Sequence, residues 1–225
     1  MMAEPVLIVG ATGLIGNLLV RKLIADGRDQ GLHLLVRKPL DGDYGAAIIH
    51  AVPTEQWADS IADIKAVRTV SCLGSTMKKA GSKEAFAAVD RDLVGTVAQA
   101  AKAAGARQFI AVSSTMANAQ ASQFYLKVKG QAEELMRAQQ FDRLDIIRPG
   151  LLRGERTNDT RLGESLAIIA SPLMDLLLHG SLRRYRSIDG REVAAAIAAL
   201  LTEDVAGNQI YENDAIWKWA DRETA

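Results

Sequence analysis

The chain has 225 residues with 27 basic and 27 acidic side chains, so its formal net charge is zero. That balance, with aromatic residues at only 5%, provides no concentrated basic face for nucleic acid. The length suits one α/β domain with a continuous core, the 48% hydrophobic content excludes long disordered tracts, and the lone Cys72 excludes an internal disulfide or a thiolate metal cluster.

The amino terminus, MMAEPVLIVGATG, has no basic leader and enters a four-residue apolar run too short for a secretory signal. The longest apolar stretch, residues 166–178, is interrupted by Ser171, Pro172 and Asp175. It falls short of the roughly 20 residues that span a bilayer. The expectation is a soluble, cytoplasmic protein without a membrane partner. His33, His50 and His179 lack the i, i+4 spacing of a helical zinc site, so they are expected as surface or satisfied core residues and no metal is expected.

Val6, Leu7, Ile8 and Val9 form a continuous apolar run, the pattern of a strand buried on both faces. After the glycine turn, Leu14, Ile15, Leu18, Leu19 and Leu23 recur at helical spacing until Asp26-Gly27 closes the segment. Further strands are predicted at 32–36, 46–50, 69–73, 109–113 and 144–148, with helices at 82–105 and 122–140. Beyond Gly150 the pattern loosens into an arginine-bearing loop, a helix near 163–178, a link through Arg183, Arg184, Tyr185 and Arg186, and a helix near 191–201. Trp217 and Trp219 alternate like strand residues in a tail expected to dock onto the core. Strands alternating with helices predict an α/β fold: a doubly wound parallel sheet of Rossmann type with a small carboxyl-terminal, substrate-side lobe. The whole chain reads as a single domain, with a core at about 5–150 and substrate-side segments at about 151–190 interleaved with it.

Gly10, Thr12, Gly13, Leu14, Ile15 and Gly16 belong to a G-x-x-G-x-x-G turn between a buried strand and an amphipathic helix. Gly10 permits the tight turn, Gly13 lets backbone approach a pyrophosphate, and Gly16 lets helix pack on sheet, so a dinucleotide is the expected guest. At the end of the second strand, where a carboxylate would bond the ribose 2′-hydroxyl of NAD, stand Arg37 and Lys38. A guanidinium there clamps a 2′-phosphate, so NADP(H) is expected as cofactor, with Arg37 as main contact.

Tyr125 and Lys129 stand four apart on a predicted helix and share one face. Ser113 and Ser114 precede them at a strand end. A phenol ionises near pH ~10, and a nearby ammonium favours the phenolate, which suits proton exchange with a carbonyl oxygen. A serine hydroxyl would hold that oxygen while a nicotinamide delivers hydride. Ser114 is favoured for this role, with Ser113 and Thr115 left open; Ser113 and Tyr125 are also expected among the cofactor contacts.

The strings GATGLIG, VDRD, AVSS, Tyr125-x-x-x-Lys129 and IIRPG, in this order, resemble the short-chain dehydrogenase/reductase superfamily. CLGST at 72–76, YLKVKG at 125–130 and IIRPGLLRGER from 146 resemble more narrowly its atypical branch of Tat-interacting oxidoreductase-like proteins. The resemblance covers roughly residues 5–205. It implies a Rossmann fold, NADP(H) and a Ser-Tyr-Lys site of Ser114, Tyr125 and Lys129. It further implies that Lys129 bonds the nicotinamide ribose, that Leu73 and Gly74 line the adenosine side, and that Pro149 to Leu151 flank the nicotinamide. Where many relatives carry an asparagine that supports a proton relay, this chain has Asp90. The expected activity is hydride transfer to or from a small carbonyl or alcohol; the alternatives are a sugar-nucleotide epimerase or dehydratase and a non-catalytic dinucleotide sensor. Arg153, Arg156, Arg161 and the Arg183 to Arg186 group are further candidates for an anionic substrate group.

Overall fold

The computed structural model describes residues 4–153 and 178–223. Seven parallel strands form one sheet: β1 (Val6–Val9), β2 (Leu32–Val36), β3 (Ile48–Ala51), β4 (Arg68–Ser71), β5 (Gln108–Val112), β6 (Arg143–Ile147) and β9 (Gly207–Tyr211), in the order β3-β2-β1-β4-β5-β6-β9. Parallel neighbours require crossover connections, and these are supplied by helices on both faces. One face carries α1 (Leu14–Ala25), α7 (Gly190–Leu200) and α8 (Asn213–Arg222); the other carries α2 (Trp57–Ile64), α5 (Val94–Ala103) and α6 (Phe124–Ala138).

The two-residue period of the strands divides the core accordingly. Ile8, Leu34, Val70 and Ile110 pack with Ile15, Leu19, Val193 and Ile197 on the α1 and α7 face. Leu7, Val9, Leu35, Phe109, Ala111 and Ile146 pack with Val97, Ala98, Ala132 and Met136 on the α5 and α6 face. A two-stranded parallel pair, β7 (Leu152–Arg153) with β8 (Ile188–Asp189), lies outside the main sheet and opens the smaller lobe.

The predicted helix at 82–105 is interrupted. Two short helices, α3 (Met77–Ala80) and α4 (Lys83–Ala87), lead into a π-helical turn at Ala88–Leu93, which continues into α5. Such turns insert one extra residue into a helix and recur at functional positions. Trp217 and Trp219 are helical rather than extended: they ride on α8, whose inward stripe is Asn213, Ile216 and Ala220. Spacings of three and four settle the phase, and the two tryptophans flank that stripe. Trp217 Nε1 donates to Glu192 Oε2 at 2.6 Å, and Trp219 meets Tyr211 edge-on, so the tail docks onto the core. Arg183, Arg184 and Tyr185 fall in a short 3₁₀ turn (Gly180–Tyr185). The helix expected near 163–178 and residues Arg156 and Arg161 lie outside the described residues, apart from Leu178.

Candidate active site

The carboxyl ends of β1, β4 and β5 face the start of α1, where the strand order reverses on either side of β1. This is where open α/β sheets bind ligands. Gly10 has φ +80°, and a side chain there would run into the Cys72 carbonyl group; a Cβ on Gly16 would overlap the Gly10 carbonyl oxygen. Turn, strand β4 and helix α1 are therefore pressed together at a distance only glycine allows. No side chain caps the amino end of α1, and its first turn carries no acidic residue. Backbone N–H groups and the positive end of the helix dipole remain directed at the turn, a cradle for anionic phosphate.

A cavity of about 740 Å³ surrounds this turn. Thr12, Gly13, Leu14 and Ile15 of the turn line it. So do Leu73, Gly74, Ser75 and Thr76 from the loop after β4, and Ser113, Tyr125 and Lys129. Asn17, Arg21, Leu152, Asp189 and Arg191 extend it along the flank of α1 toward the smaller lobe. Gly10 and Gly16 act from behind, by close packing. Among the described residues, Arg37, Lys38, Ser114, Pro149 and Leu151 do not line it. Arg37 and Lys38 are exposed just past β2, Leu151 is exposed, and the Pro149 carbonyl accepts the Thr115 N–H at 3.1 Å. Ser114 is half-buried, and its hydroxyl donates to the Thr115 carbonyl at 3.2 Å. Thr115 Oγ1 is itself buried.

Tyr125 sits in the first turn of α6, with its ring 5.5 Å from that of Phe86 and 36% of its surface accessible. One turn on, Lys129 is buried, with Nζ 2.8 Å from Asp90 Oδ1. The other Asp90 oxygen accepts the Ser75 N–H at 2.8 Å. One carboxylate in the π-helical turn thus ties the lysine to the loop after β4. Sequence reading singled out Asp90 for a missing relay, but not for this pairing, which joins residues 15 and 39 positions away in the chain. A further turn along α6, the fully buried Glu133 accepts Ser113 Oγ at 2.6 Å and is held by Arg148 and Arg137. The bond to Glu133 raises the Arg148 guanidinium further above its ordinary value. Cys72 lines the cavity as well, but burial pushes its thiol up to about 12, so it stays protonated and is a poor nucleophile.

Residues 10–204 match the family described as NAD(P)H-binding. The mitochondrial protein FMP52 of Eremothecium gossypii is 34% identical over 93% of this chain and 94% of its own length. The HTATIP2 protein of Rattus norvegicus is 34% identical over 74% of this chain and 70% of its own. Among solved structures, MoeE5 in complex with UDP-glucose and NAD superposes with a TM-score of 0.69 at 15% identity, covering 98% of this chain and 82% of that one. The fold expectation is met, and so is the resemblance. The cytoplasmic expectation is corrected: several similar fungal proteins are named as mitochondrial. An apolar run too short for a secretory signal does not by itself choose a compartment. No helix among the described residues is long and apolar enough to cross a membrane.

Proposed function

Because the chain belongs to the NAD(P)H-binding family, we propose that it is an NADP(H)-dependent oxidoreductase that exchanges hydride with a small carbonyl or alcohol substrate. The observation that carries this reading is the meeting of Tyr125 and Lys129 with the glycine turn in one cavity. The uncapped α1 amino terminus suits a pyrophosphate, and the wall at Leu73 and Gly74 suits an adenosine arm. Arg37, exposed at the end of β2, is the proposed clamp for a 2′-phosphate, with Lys38 adding charge. When bound, the dinucleotide supplies or accepts the hydride.

The protein's own groups handle the proton. Tyr125 donates its phenolic proton to the substrate oxygen during reduction and takes it back during oxidation. Lys129 has three donors. Its ammonium is ion-paired with Asp90, and its N–H groups can serve a ligand hydroxyl and the neighbourhood of the tyrosine. Asp90 holds the ammonium in place. Ser114 is the proposed second donor to the reacting oxygen; it stands just outside the cavity lining, and its hydroxyl must rotate away from the Thr115 carbonyl to act. Tyr125 is open enough to water to recover its proton between turnovers.

NADPH and NADH titrations run beside NADPH consumption with a panel of aldehydes, ketones and quinones test this reading. Tighter NADPH binding and turnover of at least one carbonyl are expected. Tight binding with no consumption across the panel would overturn the catalytic part, and equal affinity for the two dinucleotides would overturn the role of Arg37.

A further inference from the structure

Ser113 follows the last residue of β5 and continues the face of Phe109 and Ala111, which turns toward α6. There its hydroxyl meets Glu133 at 2.6 Å. Glu133 is fully buried and accepts from guanidinium groups on both oxygens: Arg148 Nε at 2.8 Å on Oε1, and Arg148 Nη2 with Arg137 Nη2 on Oε2. Arginine is always charged and only donates. A carboxyl group bound this way is an acceptor at each oxygen, so the proton in the Ser113–Glu133 contact belongs to the serine. A hydroxyl has one proton to give. Toward the cavity, which Ser113 lines, it presents lone pairs alone.

We propose that Ser113 accepts a hydrogen bond from the carboxamide N–H of the nicotinamide and takes no part in holding the reacting oxygen. This rests on the dinucleotide reading above. A carbonyl oxygen gains negative charge as hydride arrives, and alcohol oxidation passes through the same charged state in reverse. Lone pairs aimed at that oxygen would raise the barrier in both directions. The reacting ring carries one other polar group, a carboxamide with two N–H donors, and it matches the acceptor that Ser113 offers. Glu133 is a positioning residue: it never reaches the ligand, but it fixes which way the serine proton points. Ser113 then orients the ring, and the reacting oxygen is left to Tyr125, joined by Ser114 once its hydroxyl turns from the Thr115 carbonyl.

The test is a calorimetric titration of NADPH and of its reduced 3-acetylpyridine analogue, in which a methyl group replaces the amide nitrogen. ADP-ribose, which lacks the ring, serves as the control. The native protein should prefer NADPH roughly five- to tenfold, the worth of one hydrogen bond. Ser113→Ala should bring that ratio close to one and leave ADP-ribose affinity unchanged. Ser113→Cys, similar in size with a weak acceptor, should lose most of the preference if the alanine variant does not fold. The proposal fails if the native protein shows no preference, if either variant keeps it, or if ADP-ribose weakens in parallel. Failure of the native protein to bind NADPH, NADH or ADP-ribose would instead remove the dinucleotide reading itself.

Discussion

Lys129 Nζ and Asp90 Oδ1 stand 2.8 Å apart with both side chains buried, and no other described acidic side chain pairs with that lysine. Removing one member of a buried pair strands the other charge, at about 3–5 kcal/mol. Lys129→Met and Asp90→Asn should each lower stability by that order in urea unfolding. The double variant Asp90→Asn with Lys129→Met should recover much of the loss while still binding dinucleotide weakly. A double variant as unstable as the sum of the two single changes would show that the pair contributes through packing.

Tyr125→Phe removes one oxygen from a half-open position and leaves the ring contact with Phe86 in place. Turnover should fall by about 100-fold or more, the usual worth of a positioned general acid. NADPH affinity should be nearly unchanged, read by titration on the same sample. Substantial residual turnover would reassign the proton to another group.

At Gly16 a methyl group would meet backbone, not a flexible side-chain end. Gly16→Ala is expected to cost about 1–3 kcal/mol by overpacking and to weaken dinucleotide binding more than it weakens folding, because the displaced element is the phosphate cradle. Thermal melting and NADPH titration measured side by side check the two effects.

How far the site could be read from sequence depended on the range of each interaction. The β1 run, glycine turn and α1 were legible because buried strands and amphipathic helices write their periods locally. Tyr125 and Lys129 were legible for the same reason, as an i, i+4 pair. Strand β9 was not: Gly207, Asn208, Gln209, Ile210 and Tyr211 carry no apolar run, since the strand is an edge with three exposed residues. The partners of Lys129 and Ser113 were hidden because Asp90 and Glu133 reach them across helices. A strand predicted through residue 113 ends in the structure at Val112. The face of each following serine then depends on tertiary contacts that no local pattern records.

Far from the cavity, Asp145 anchors a buried network toward the amino ends of the strands. It accepts from Arg143 Nε and Gln108 Nε2, each at 2.8 Å, and from the Tyr211 hydroxyl at 3.0 Å. Burial, reinforced by that carboxylate, raises the Tyr211 phenol well above its usual range and keeps it a donor. Asp145→Ala should cost about 3–5 kcal/mol in denaturant unfolding and leave NADPH affinity unaltered below the transition. Loss of affinity in the folded variant would mean that the two ends of the sheet are coupled.

His33 Nδ1 and His50 Nε2 are 2.9 Å apart on neighbouring strands. Burial lowers both imidazoles below the ordinary 6.5, and for His33 the facing His50 adds to the effect. The unfolded chain takes up these protons first as pH falls, so stability is independent of the pair above about pH 7 and declines from there toward pH 5. His50→Gln should flatten that decline in melting temperature. An unchanged slope would place the acid sensitivity elsewhere.

The π-helical turn at Ala88–Leu93 also fixes a phase relation. Each residue advances a helix by about 100°, so one inserted residue rotates everything before it against everything after it. Asp90 can face the lysine while Val94, Val97, Ala98 and Ala101 still face the core. Deleting any one residue from this turn would restore an unbroken helix and swing the carboxylate out of reach, while composition and charge pattern stayed almost the same. The stretch that looks most uniform in the sequence, rich in alanine and free of proline, is therefore among the least tolerant of a change in length.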